Sequence, residues 1–245
     1  MVPDEKINEF VQRIREAAGA NLDSILLFGS AVAGNFHPRL SNLNLLCVLR
    51  DSSFAKLQEL APVAKWWDRQ KQPAPLCMTR LEVQRSTDVF TIELLDIQQH
   101  HRVLFGDDAV QGLRISMDVH RVQVEYELRE KLILLRQQVL LAAGNDSRLW
   151  DLLLHSVPSF GTLFRHALIA LREPSPPSRR EAVETLSKRV GFDPSAILQA
   201  LDVREQKANA KKIDVHQLAA GYLAAVEKVT SAVDEALDSN RSHQV

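Results

Sequence analysis

Residues 4–19 set Ile7, Phe10, Val11, Ile14 and Ala17 at helical spacing and stop at Gly19, which predicts a first amphipathic helix. Ile25–Phe28 is a short apolar run ending at Gly29-Ser30, and Leu43–Leu49 is a second; both predict buried strands. Gly34-Asn35 and His37-Pro38 mark turns between them. Residues 52–70 predict a helix capped by Ser52 or Ser53, with a kink or break at Pro62. Pro73–Thr79 is a third apolar stretch, after which Thr79 is placed to cap a short helix through Gln84. Residues 89–106 fit two patterns: one helix running into a strand at Val103–Phe105, or a strand followed by a helix.

Beyond about residue 115 the pattern changes. Val122, Val124, Leu128, Leu132, Leu135, Val139 and Leu140 lie on a helical repeat over 116–143, closed by Gly144-Asn145. A further helix is predicted over 147–172, with a bend at Pro158, and Glu173–Ser178 (EPSPPS) reads as a rigid linker. Helices over 179–190, 194–201 and 214–238 complete the chain, and no strand-like alternation occurs in this half. The expected class is α+β: a mixed sheet with flanking helices over 1–115, then an all-α helical bundle over 116–245.

Composition narrows the function classes. Over 245 residues the formal net charge is −1, so no global field favours nucleic acid or an anionic membrane. No apolar run reaches the roughly 18 residues of a membrane span. The opening MVPDEKINEF is acidic and polar, unlike a signal peptide, and Cys47 and Cys77 sit in apolar surroundings. A cytoplasmic protein with reduced core thiols is expected.

The candidate chemistry lies in residues 25–49. Gly29-Ser30-Ala31-x-x-Gly34 leaves an apolar strand, and Ser41-Asn42-Leu43-Asn44 opens the next. This arrangement resembles the nucleotidyltransferase superfamily, whose bacterial members include aminoglycoside and minimal nucleotidyltransferases. In that superfamily a Gly-Ser turn is followed by Asp-x-Asp or Asp-x-Glu at the start of the next strand. Leu104-Phe105-Gly106 matches an element that closes the domain in many members, and many carry a helical partner domain. The resemblance implies a turn whose backbone N–H groups and Ser30 hydroxyl hold triphosphate oxygens, with Gly29 allowing close approach.

It also implies two carboxylates at positions 42 and 44, joined by a third from a neighbouring strand. These would hold two Mg²⁺ ions about 3.5–4 Å apart for in-line displacement at the α-phosphorus. Here both positions are Asn, which offers a neutral oxygen and no base. Glu93 is the first candidate for the third carboxylate if 91–96 is a strand, with Asp96 second. If 76–79 is the relevant strand, it carries none. Three accounts fit Asn42 and Asn44: a pseudoenzyme that keeps its cleft, a deliberate Asp→Asn exchange that traps substrate, or compensation by Glu93 or Asp51. The first is preferred.

The leading expectation is therefore a nucleotide-binding or regulatory pseudoenzyme contacting nucleotide through Gly29 and Ser30. The alternatives are an active nucleotidyltransferase acting on a hydroxyl of a small molecule or protein, and a helical interaction module with no nucleotide role. Mg²⁺ is implied only for an active enzyme, and no cofactor otherwise. The partners considered are a nucleoside triphosphate, and a second copy or another protein docking on the helical half.

Other constellations read as structural. His100-His101-Arg102 fits a solvated helix face, Asp107-Asp108 an acidic loop, and Trp66-Trp67 one core and one surface ring. Arg148-x₆-His155 loosely resembles the Arg-x₄₋₆-His of helical RNases but sits among bundle leucines. Arg204–Lys212 reads as an exposed connection. Arg165, His166 and Arg172 are candidates to line a cleft.

Overall fold

A computed structural model describes residues 3–33, 36, 41–176 and 178–241, the side chains of 237–241 excepted. The chain divides into two compact units, Met1–Ser116 and Met117–Val245. The turns expected at Gly34-Asn35 and His37-Pro38 lie outside the described residues.

The first unit runs α1 (Asp4–Ala18), β1 (Leu22–Phe28), β2 (Asn44–Leu49), α2 (Phe54–Arg69), β3 (Leu76–Thr79), α3 (Arg80–Arg85), α4 (Thr91–Gln99) and β4 (His101–Gly106). Its four strands form a mixed sheet in the order β3-β2-β1-β4. β1 is antiparallel to β2 and β4, and β3 is parallel to β2. β1 begins three residues earlier than its apolar run. Asp23 and Ser24 join because the strand is paired on both sides, and Ser24 is fully buried there.

Strand alternation sends the core to both faces of the sheet. Ile25, Leu27, Leu43, Leu45, Cys47 and Leu49 pack against Ile7, Phe10 and Ile14 of α1 and Leu60, Val63 and Trp67 of α2. Leu26, Leu46 and Val48 pack against Val83 of α3, Leu94 and Ile97 of α4, and Val110. Burial pushes the Cys47 and Cys77 thiols up from their ordinary value, as expected of core thiols. Trp67 is the core ring and Trp66 the partly exposed one, with the Arg13 guanidinium 4.5 Å from its centroid.

Thr79 caps α3 as expected, in a reciprocal box: its side chain accepts from Glu82 N at 3.2 Å, and the Glu82 carboxylate accepts from Thr79 N. Thr79→Ala is expected to cost about 1 kcal/mol in urea unfolding. The backbone N–H of Thr79 holds the Glu82 carboxyl below its ordinary value of 4.5. That contribution is present above the unfolded value and is lost as pH falls through the folded one. The stability gap between wild type and Glu82→Gln should therefore close in acid.

The second unit contains α5 (Met117–Leu141), α6 (Asp146–Ala170), α7 (Arg179–Val190), α8 (Ser195–Arg204) and α9 (Val215–Arg241). α6 packs against each of the other four. Phe160 and Phe164 of α6 meet Tyr222 of α9 and Phe192 edge-on. Neither helix proline interrupts its helix: α2 runs through Pro62 and α6 through Pro158. Pro158 removes the donor for the Leu154 carbonyl, and the Arg204 guanidinium supplies one at 2.6 Å. The 173–178 linker is fastened to α6, since the Arg165 guanidinium donates to Pro176 O and Ser175 to Arg165 O. Among the described residues, no helix is long and apolar enough to cross a membrane.

Candidate functional site

The end of the sheet that carries Gly29 is a row of three residues. Phe28 at the end of β1 pairs with Asn44 at the start of β2 and with His101 at the start of β4. Paired residues share a face, so Asn44 and His101 flank Phe28 on the face that packs against α3 and α4.

Gly29 leaves this row at φ +78° and opens a single 3₁₀ turn, Gly29–Ala31. Its carbonyl accepts from Val32 N and Ala33 N, each at 3.0 Å. A Cβ on Gly29 would stand 3.0 Å from Asn44 Nδ2, so the turn and the Asn44 carboxamide are in direct register. Ser30 is half-buried in the same turn. Thus Gly29, Ser30 and Asn44 come together.

Asn42 and Glu93 are placed differently. Asn42 is exposed and lies outside β2, while Leu43 between the two asparagines is buried in the core facing α1 and α2. Leu43 N donates to Gln72 Oε1 at 2.7 Å, which anchors the chain where it enters β2. Nothing in the sequence pattern singles out Gln72, because the contact spans 29 residues and uses a side chain in a loop. Glu93 sits in the first turn of α4 and is exposed. Residues 91–96 are helical, so the strand on which its candidacy depended does not form; the helix-then-strand pattern over 89–106 is the one adopted.

On the side away from β1, β2 pairs with β3, which carries Leu76, Cys77, Met78 and Thr79. Leu46 pairs with Leu76 and Val48 with Met78, so the β3 side chains on the Asn44 face are Leu and Met. Asp51 lies past the far end of β2, where its carboxylate accepts from Ser53 N at 2.8 Å and Ser53 Oγ at 3.1 Å. Seven residue steps, five of them along β2, separate it from Asn44, a span of up to roughly 23 Å. It does not replace a ligand at position 44. Among the described residues, no group of three His, Cys, Asp or Glu side chains is placed to hold a metal ion. The donors present therefore do not fit a two-Mg²⁺ centre: two neutral carboxamides, and a neighbouring strand with no carboxylate.

Several other candidates resolve into structural roles. His101 Nδ1 meets Ile97 O at 2.8 Å and Nε2 meets Asp108 Oδ2 at 3.0 Å, so both ring nitrogens are engaged. Asp108 also accepts from Val110 N and Gln111 N, which makes the acidic pair part of a folded loop. Arg148 at the start of α6 donates to Leu141 O at the end of α5, and His155 Nδ1 lies 2.6 Å from Asp151 O within α6. Arg165 and His166 are buried inside the helical unit, where His166 Nδ1 lies 2.9 Å from His120 Nε2. Arg172 is exposed just past α6, at φ 61°. A depression of about 460 Å³ lined by Gln12, Arg15, Glu16, Gly19, Leu22 and Phe105 lies at the opposite end of β1 from the Gly29 turn.

No family model and no curated protein matches the chain. Among solved structures it is similar to the spectinomycin adenyltransferase of Enterococcus faecialis, crystallised with ATP and spectinomycin. The TM-score is 0.59 at 14% identity, over 92% of this chain and 98% of that one. The likeness shows the fold: a nucleotidyltransferase-like mixed sheet with flanking helices, followed by a helical region.

Proposed function

We propose that this chain is a nucleotidyltransferase-fold protein that binds a nucleoside triphosphate at the Gly29-Ser30 turn without carrying out two-metal nucleotidyl transfer. The observation that carries this reading is the closeness of Gly29 to the Asn44 carboxamide at a sheet end whose neighbouring strand, Leu76–Thr79, has no carboxylate. A carboxylate only accepts hydrogen bonds, and beside a triphosphate it needs a cation between them. A carboxamide brings two N–H donors and no charge. Asn at position 44, beside the turn, thus removes the demand for metal and adds donors for phosphate oxygens.

The turn completes the cradle. Gly29 has no side chain to obstruct a phosphate, and the first N–H groups of the 3₁₀ turn have no acceptor within it. The Ser30 hydroxyl adds a further donor. This chain's residues then bind and orient a polyphosphate, and none of Gly29, Ser30, Asn42 or Asn44 can take a proton from an acceptor hydroxyl.

Adenylyl transfer to a small hydroxyl compound is the second reading, favoured by the likeness to an adenyltransferase seen with ATP. Thermal-shift titrations with the four nucleoside triphosphates in EDTA separate the two. The binding reading expects a rise in melting temperature that Ser30→Ala diminishes, with affinity at least about tenfold weaker for a lost hydrogen bond to a charged group. Mg²⁺-dependent pyrophosphate release in the presence of an acceptor establishes the transferase instead.

A further inference from the structure

Cys47 of β2 and Cys77 of β3 are direct partners across the parallel strand pair. Partners share a face of the sheet, and both side chains pack in the cluster under α1 and α2. Cys47 is fully buried, whereas Cys77 keeps partial access to solvent. Burial foremost, and then the Cys77 sulfur beside it, push the Cys47 thiol up. The two thiols are 30 positions apart in the chain, and only the strand register brings them together.

Neighbouring strands stand about 4.8 Å apart, inside the roughly 4.4–6.8 Å between the Cα atoms of a disulfide. The Cβ atoms must close to about 4 Å, which takes a small shift of one strand. β2 lies between β1 and β3 and is held on both sides. Among the described residues β3 is an edge strand of four residues, paired on one side, so it can make that shift. In the reduced chain the Cys77 S–H donates to Pro75 O at 3.8 Å, a weak contact that is readily given up.

We propose that Cys47 and Cys77 form a hydroperoxide-driven disulfide site that fastens β3 to β2. Cys77 is the thiol an oxidant reaches first. Its thiolate attacks one oxygen of hydrogen peroxide, the O–O bond breaks, and hydroxide leaves and takes up a proton as water. The sulfur is now a sulfenic acid. Cys47 then loses its proton and attacks the Cys77 sulfur. The S–S bond forms, the S–O bond breaks, and the departing hydroxide takes that proton as a second water. Two thiols lose two electrons, and one peroxide is reduced to two waters. Because burial also raises the Cys77 thiol, its thiolate is scarce at neutral pH, and the reaction quickens as pH rises.

Hydrogen peroxide treatment of the full chain, followed by N-ethylmaleimide in urea and intact mass measurement, tests this. The chain holds two cysteines, so a disulfide within one chain joins Cys47 to Cys77. Wild type should lose the mass of two hydrogen atoms and take up no maleimide, faster at higher pH, and dithiothreitol should restore two reactive thiols. Cys47→Ala should stop at a sulfenic acid on Cys77 that dimedone captures. A wild-type chain that keeps both thiols, gains oxygen without losing the hydrogens, or links to a second chain overturns the inference. Should Cys47→Ala fail to fold, the wild-type mass decides alone.

Discussion

Gly106→Ala should destabilise the first unit by roughly 3–5 kcal/mol, combining a strained backbone with an overpacked contact. Gly106 ends β4 at φ +71°, opposite Ser24. A Cβ there would run into the Asp23 carbonyl oxygen and come within 3.0 Å of Ser24 Cα, both of them backbone of the central strand. Backbone in the middle of a sheet cannot move aside as a flexible side chain can. Gly112 is the control: it has φ +74° but open space where a Cβ would go, so Gly112→Ala should cost only about 1 kcal/mol. Urea unfolding followed by circular dichroism measures both, and equal costs would show that the Gly106 contact does not matter.

Asn42→Asp together with Asn44→Asp should make nucleotide binding depend on metal. A carboxylate at position 44 beside the Gly29 turn, with a second at position 42, should repel a triphosphate in EDTA and attract its Mg²⁺ complex. A unit charge pair 4 Å apart is worth about 1 kcal/mol in bulk water and about 4 at a half-buried site, so ATP affinity should differ at least about tenfold between EDTA and Mg²⁺. Pyrophosphate release should stay at background, because Leu76, Cys77, Met78 and Thr79 supply no third carboxylate. If the double variant binds ATP equally in both conditions, positions 42 and 44 do not face the nucleotide.

The helices were legible in the sequence wherever one face alone is apolar. α7 spans the expected 179–190, and α1 and α9 differ from expectation by a few residues at their ends. The Gly29-Ser30 turn and the start of β2 were legible because Gly at a strand end and the buried Leu43 between two polar residues leave local traces. Pairing across the sheet leaves none. Thr91–Gln99 has apolar residues at spacings that suit a strand or a helix, and only burial of Ile92, Leu94, Leu95 and Ile97 in three dimensions decides for the helix. That decision takes Glu93 off the sheet and leaves the site without a third carboxylate. Gln72 under Leu43, Arg204 on the Leu154 carbonyl and the exposure of Val122 and Leu140 on α5, which the helical repeat had placed with the core, are likewise products of tertiary placement.

The central claim is that a triphosphate binds here without metal. Calorimetric titration of the wild-type chain with ATP, once in EDTA and once in Mg²⁺, with pyrophosphate measured alongside, tests it most directly. The expected result is the same affinity in both conditions and no pyrophosphate. Binding that requires Mg²⁺ and releases pyrophosphate would contradict it, and so would the absence of any binding in EDTA.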